Sequence, residues 1–126
     1  MAAMSVLIVE DDAMIGILLA EMLGDLGYNV CAVAATEDDA VADAARHCPS
    51  LIIVDENLRE GSGRSAVDRI LRTRAVPCVF TSGTFERRAR AGSISLRKPF
   101  TEADLVQAIL RVVGDAGVPV PSVACR

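Results

Sequence analysis

The run Leu51-Ile52-Ile53-Val54, followed at once by Asp55, limits the fold more than any other stretch. Four consecutive apolar residues, three of them Ile or Val, are too few for a helix and read as a strand buried on both faces. A strand that needs cover on both sides belongs inside a parallel sheet. Asp55 then stands at the strand's carboxyl end, the edge outside which open α/β sheets bind their ligands. An aspartate there would by itself read as the start of a surface turn, but the ends of the other predicted strands argue otherwise.

Ser5 to Val9 is a second short apolar run, closed by Glu10-Asp11-Asp12, and reads as strand one. Ile15, Leu18, Leu19, Met22, Leu23 and Leu26 repeat at the spacing of one helix face, so a helix is predicted from Ala13 until Gly27 stops it. Tyr28 to Ala34 is strand two. Thr36 offers an N-cap with Asp39 in the first turn. The alanine-rich helix that follows runs to Arg46, burying Ala40, Val41, Ala44 and Ala45, and Pro49 prevents its extension.

Beyond Asp55, Leu58-Arg59-Glu60-Gly61-Ser62-Gly63 reads as a flexible loop, and Ser65 to Arg72 as a short helix burying Ala66, Val67, Ile70 and Leu71. Pro77 leads into strand four, Cys78 to Thr81, closed by Ser82-Gly83. Glu86 to Ala91 has room for only a turn or two of helix. Gly92 then resets the chain, and Ser93 to Arg97 is a weaker fifth strand before Lys98-Pro99-Phe100. Thr101-Glu102-Ala103-Asp104 repeats the capping pattern, and Leu105, Ala108, Ile109, Val112 and Val113 stripe the last helix. Five strands alternating with five helices predict a doubly wound parallel sheet with right-handed crossovers. The expected class is α/β, flavodoxin-like (βα)5, strand order 2-1-3-4-5, with a short fourth helix. Residues 1–113 form the expected domain, and 114–126, with Gly114, Pro119 and Pro121, an untethered tail.

A chain of 126 residues, 52% hydrophobic, can bury one core without staples. No apolar run reaches the length that spans a bilayer, and Val6 to Val9 is cut off by acids too soon for a signal peptide. A cytoplasmic location without a membrane partner is therefore expected. Net charge −4 disfavours a polyanion-binding role, and Arg87, Arg88 and Arg90 read as a solvated helix face. Cys31, Cys48, Cys78 and Cys125 lack C-x-x-C spacing and are expected to stay reduced. His47 has no second histidine to join it as a metal ligand.

Strand one ends in Glu10 and Asp11, strand four in Ser82, and Lys98 follows strand five. In the order 2-1-3-4-5, strands one and three are neighbours at the topological switch point, so Glu10, Asp11 and Asp55 converge on one crevice. Like charges about 4 Å apart repel by roughly 4 kcal/mol at an effective dielectric near 20, so the cluster holds protons or a cation. Oxygen-only donors, including the Asn57 backbone carbonyl, suit a hard ion that keeps waters and phosphate oxygens in its shell, and Mg²⁺ is the natural choice. A carboxylate beside such an ion can attack an activated phosphoryl group and form an acyl phosphate. Asp55 is the candidate nucleophile. Charge spread over the equatorial oxygens calls for cations and donors in place beforehand. Lys98 supplies the cation, and the Ser82 hydroxyl with backbone N–H groups near Gly83 supplies the donors.

With these features the chain resembles the receiver domain of two-component response regulators, from Ser5 to about Val113. The matching residues are Val9-Glu10-Asp11-Asp12, Val54-Asp55-Glu56-Asn57-Leu58 with Gly61, Val76-Pro77 leading to Thr81-Ser82-Gly83, and Lys98-Pro99-Phe100. The resemblance implies that Glu10 and Asp11 are the acidic metal pair, Asp55 the phosphoacceptor, Ser82 the switch hydroxyl and Lys98 the invariant lysine, with a cis peptide before Pro99. It also implies Mg²⁺-dependent transfer from a phosphohistidine on a histidine kinase or histidine phosphotransfer protein. Such a chain is no enzyme beyond its own phosphorylation and dephosphorylation. Two features depart from the family. Ser95 stands where an aromatic residue often rotates as the hydroxyl moves toward phosphate. Only fifteen residues separate Ser82 from Lys98, which truncates the fourth helix and alters the face it makes with strand five and helix five. Pro77-Cys78-Val79-Phe80-Thr81-Ser82-Gly83 is similar to a divergent stand-alone group with a Phe-Ala-Thr-Gly-like sequence there, whose switch relies less on the aromatic residue.

The expected function is a single-domain response regulator that switches a protein-binding surface or relays the phosphoryl group, with Gly83-Thr84-Phe85 following Ser82 and Lys98 as they close on phosphate. Its output is expected to be a protein partner, because no DNA-binding element follows Val113, and a monomer or weak dimer is expected. A haloacid-dehalogenase-type phosphohydrolase uses similar groups, but there the nucleophile comes first and the acidic pair last. Here Glu10-Asp11 lead, and Asn57 lacks the second carboxylate for acid–base work. The remaining alternative is a phosphorylation-silent receiver acting only as a binding module, against which the complete set of site residues stands.

Overall fold

The computed structural model describes residues 4–83 and 93–113. In chain order the elements are β1 (Ser5–Val9), α1 (Ala13–Asp25), β2 (Asn29–Ala34), α2 (Glu37–His47), β3 (Leu51–Asp55), α3 (Gly63–Leu71), β4 (Cys78–Ser82), β5 (Ser93–Arg97) and α4 (Glu102–Val113). The five strands form one parallel sheet in the order β2-β1-β3-β4-β5, as expected. The short helix predicted over Glu86–Ala91, Phe85, the arginines Arg87, Arg88 and Arg90, and the 114–126 tail lie outside the described residues.

Period-two alternation sorts the core. Val6, Ile8, Leu51, Ile53 and Val79 face one side and pack with Leu19 and Leu23 of α1 and Leu105, Ala108 and Ile109 of α4. Leu7, Val9, Ile52, Val54, Cys78 and Phe80 face the other and pack with Ala40 and Ala44 of α2 and Ala66, Val67 and Ile70 of α3. Every residue of β3 is buried. Each fully buried Val, Leu or Ile contributes about 1.5–3 kcal/mol, so this central strand is a firm mount for a charge at its end.

Local chemistry fixes the helix starts. Asp12 caps α1, its carboxylate accepting from the N–H groups of Met14 and Ile15 at 3.0 and 3.2 Å. Thr36 caps α2 through Asp39 N–H. Thr101 and Asp104 exchange side-chain-to-backbone bonds at 3.1 and 3.0 Å, a capping box before α4.

Three expectations need correction. On α1, Leu18 is 52% exposed, whereas Leu19 and Leu23 are buried and Ile15, Met22 and Leu26 pack against the same core, as predicted. Apolar residues lie nearly all round this helix, so spacing alone does not exclude Leu18 from the inner face; Gly16 marks the side set against the sheet, where a Cβ would stand 3.2 Å from Val33 Cγ1. Ala45 and Leu71 also face solvent. Finally, Cys31 and Cys78 are free but Cys48, at the left-handed end of α2, is disulfide-bonded, against the expectation of reduced thiols. Among the described residues no helix is long and apolar enough to cross a membrane.

Candidate functional site

Sheet register assembles the predicted residues at one edge. β1 pairs with β3 through Val9 and Val54, which brings the residues that follow, Glu10 and Asp55, side by side. The Glu10 N–H continues the ladder to Ala34 O at 2.8 Å. On the other side Asp55 pairs with Thr81 and Ser82 with Arg97. Lys98, next after Arg97, is therefore brought beside Ser82, and its N–H donates to Ser82 O at 2.7 Å. The Lys98–Pro99 peptide is cis.

Glu10 is 3% and Asp55 7% exposed, and Glu10, Asp11 and Asp55 each offer a carboxylate oxygen within 4.8 Å of the others. Lys98 Nζ donates to Glu10 Oε1 at 3.1 Å and to Asp55 Oδ2 at 3.0 Å. The Asn57 N–H donates to Asp55 Oδ1 at 3.0 Å, and the Asp12 N–H to Glu10 Oε2 at 3.1 Å. Asp11 accepts the Arg59 N–H at 2.7 Å, while the Arg59 guanidinium lies 3.8 Å away and largely in solvent, where an ion pair contributes little. One ammonium among three carboxylates leaves an excess of negative charge on hard oxygen donors. That donor set fits a divalent cation of the Mg²⁺ type.

Burial raises the Glu10 carboxyl above the usual carboxylate range, and the Asp55 charge adds to the rise; the Asp12 N–H and Lys98 oppose it without cancelling it. Burial works against the Lys98 charge, but the hydrogen bonds and charges of Asp55 and Glu10 outweigh it and hold Lys98 above an ordinary lysine. A carboxyl with a raised folded pKa supports the fold below its unfolded pKa and loses that contribution as pH rises through the folded value. Glu10→Gln does not titrate and keeps an acceptor for Lys98. In chelator at neutral pH it is therefore expected to melt a few degrees above wild type. The gain should shrink on acidification, and thermal melts across pH check both signs.

Ser82 is buried and Gly83 exposed. Ser95 pairs with Phe80 across the β4–β5 ladder. Its hydroxyl, like that of Thr81, is buried with no hydrogen-bond partner among the described residues, so a small polar group fills the position at which the sequence departs from the family.

The segment from Leu58 to Gly63 is not the loose loop that its glycines suggested. Asn57 bridges Ser62, Ser62 caps α3 through Ser65 N–H, and the helix starts at Gly63, two residues earlier than predicted. Arg59, Glu37 and Gly63 went unmarked in the sequence. Ser62 as a cap was the one local signal available; the other contacts join residues far apart in the chain.

A doubly wound sheet with paired acids after β1, an aspartate ending β3 and a lysine after β5 is the arrangement of a receiver. Residues 6–110 match the response regulator receiver domain family, and the chain belongs to it. The transcriptional regulatory protein PdtaR of Mycobacterium tuberculosis is 39% identical over 110 residues, covering 82% of this chain and 54% of PdtaR, so the chain spans about half of that relative's length. The solution structure of the Erythrobacter litoralis PhyR receiver domain superposes with a TM-score of 0.81 at 27% identity, covering 96% of this chain and 98% of that one. PhyR of Bartonella quintana, an anti-anti-sigma factor crystallised with the anti-sigma factor NepR, matches with a TM-score of 0.59 at 34% identity, over 62% of this chain and 33% of that one.

Proposed function

We propose that this chain is a cytoplasmic response-regulator receiver that accepts a phosphoryl group on Asp55 from a phosphohistidine donor, a histidine kinase or a histidine phosphotransfer protein. The observation that carries the reading is Lys98 Nζ bonded at once to Glu10 and Asp55 in a cluster that also includes Asp11. Glu10, Asp11, Asp55 and the Asn57 carbonyl would hold Mg²⁺, which when bound neutralises carboxylate and phosphoryl charge.

An Asp55 oxygen forms a bond to phosphorus as the donor's phosphorus–nitrogen bond breaks, and the electron pair leaves on the imidazole nitrogen. Lys98, held protonated by its two carboxylates, is already beside the developing charge and transfers its bond from the Asp55 carboxylate to a phosphoryl oxygen. Ser82 and the Gly83 N–H supply neutral donors at the neighbouring strand end. The new charge then biases the β4–β5 side of the site, switching a protein-binding surface or passing the group onward. A protein output accords with the NepR complex of the related PhyR.

The donor must cover the rim of this crevice, which α1 adjoins through Asp11 and Asp12. Met14, Ile17 and Leu18 of that helix are 68, 57 and 52% exposed, an apolar strip suited to a protein donor. Ile17→Glu with Leu18→Glu is expected to slow transfer from a phosphohistidine protein about tenfold or more, while labelling by acetyl phosphate is unchanged. Equal slowing of both reactions would refute this docking role.

Incubating the full chain with acetyl phosphate and Mg²⁺ and reading the intact mass tests the function. Gain of one phosphoryl group, lost in chelator, is the expected result. Failure to label with acetyl phosphate and with a phosphohistidine donor would leave a binding module, and sustained turnover of phosphoesters would favour the hydrolase.

A further inference from the structure

Glu37, the first residue of α2, sits on the far side of the β3–α3 segment from the acidic cluster, and nothing in the proposed chemistry uses it. Its Oε1 accepts the Ser62 N–H at 3.0 Å; its Oε2 accepts the Ser65 hydroxyl at 2.7 Å and Arg69 Nη1 at 3.0 Å. Its own N–H donates to Glu60 O at 3.1 Å. Gly61, in the left-handed region at φ +84°, lies flat on it: a Cβ there would collide with Glu37 Cβ and Oε1. The side chain is only 16% exposed. The Ser65 hydroxyl, the Ser62 N–H and Arg69 hold its carboxyl below the usual range, so it is a fixed anion at neutral pH.

The other flank of the same segment is tied to the candidate cation site. The Arg59 N–H bonds Asp11 Oδ2, the Asn57 N–H bonds Asp55 Oδ1, and Asn57 bridges Ser62. Residues 57–62 thus form a strut with Asp11 and Asp55 on one side and Glu37 on the other. Releasing the Glu37 side would free Ser62, then the bridge to Asn57, then the Asn57 amide that bonds Asp55.

We propose that Glu37 is a positioning residue for the divalent-cation site, holding the 57–62 strut so that Asp11, Asp55 and the Asn57 carbonyl converge on one ion. The inference rests on the cation-dependent reading above. Groups that orient metal ligands commonly alter affinity by about tenfold or more when removed.

The test is a Mg²⁺ titration of the ¹⁵N-labelled full chain, followed through backbone amide shifts. Wild type is expected to saturate. Glu37→Ala should raise the Mg²⁺ Kd about tenfold, and acetyl phosphate labelling should recover at saturating Mg²⁺, because the loss is in affinity. Glu37→Gln, which keeps one acceptor for Ser62 but not the charge facing Arg69, should fall between the two. Asp38→Ala removes only the exposed second partner of Arg69 and should leave the Kd within about twofold of wild type. If Glu37→Ala is unfolded, Glu37→Gln and Ser65→Ala carry the comparison, each expected to weaken Mg²⁺ binding. A wild-type Kd in the folded Glu37 variants, or equal weakening in Asp38→Ala, overturns the role of Glu37. A wild type that does not respond to Mg²⁺ overturns that role together with the cation reading, which separates the two failures.

Discussion

Asp55→Asn is expected to abolish the mass gain from acetyl phosphate outright while leaving the fold intact. The substitution preserves shape at a side chain whose Oδ1 accepts the Asn57 N–H and whose Oδ2 accepts from Lys98, but an amide oxygen has neither the charge nor the nucleophilicity of a carboxylate. Among the described residues no neighbouring carboxylate is placed to replace it. Glu10 is bound by Lys98 and the Asp12 N–H, and burial makes it less readily ionised than an ordinary glutamate. Glu56, next in sequence, is turned toward Arg64 at 3.0 Å. Asp11 is engaged by Arg59 N–H. Removing a nucleophile from a preassembled site commonly costs several orders of magnitude in rate. Loss of one carboxylate from the cluster should also weaken Mg²⁺ binding, which amide shifts would report separately. Residual labelling of Asp55→Asn at a rate near wild type would move the acceptor to another residue and sink the assignment.

The parts of this site that could be read in advance are those carried by residue type at a strand end. Asp55 follows four apolar residues and Glu10 follows Val9; a charge that ends a buried run has nowhere to go but the sheet edge, and strand order then decides which charges meet. What escaped the reading depends on atoms brought together across the fold. Leu18 fits the apolar spacing of α1 yet faces solvent, because the outer side of this helix, with Met14 and Ile17, is also apolar; the other five residues of the predicted face are buried or pack against the core. The 58–63 segment looked loose because glycines favour loops, yet its two glycines are there for close approach. Gly61 lies against Glu37, and Arg59 reaches Asp11 through a backbone N–H, a bond that any residue except proline could make.

Gly63→Ala is the second large effect and tests how closely α3 is set against the acceptor. Gly63 begins α3, its N–H donates to Glu56 O at 3.1 Å, and a Cβ there would fall on the Asp55 carbonyl oxygen, 2.7 Å from Val54 Cγ2 and 2.9 Å from the Asp55 carbonyl carbon. The obstacle is the backbone of the central strand, buried on both faces and bonded to β1 and β4, so no side-chain rotation relieves it. Overpacking of this kind costs about 1–3 kcal/mol, and a rigid neighbour places Gly63→Ala at the upper end. For a domain of this size that corresponds to a fall in Tm of about 10 °C. Because the strain is relieved by moving either α3 or Asp55, labelling of the still-folded variant at low temperature should also slow, whereas a substitution that weakened only the core would leave it unchanged. Gly24→Ala is the matched control: it lies in α1, where a Cβ meets nothing within 4 Å, and should be neutral or stabilising by about 0.5–1 kcal/mol through helix propensity. A Gly63→Ala protein that melts with wild type would mean that β3 and α3 are not in contact at the acceptor, and the strut between the cation site and Glu37 would lose its anchor.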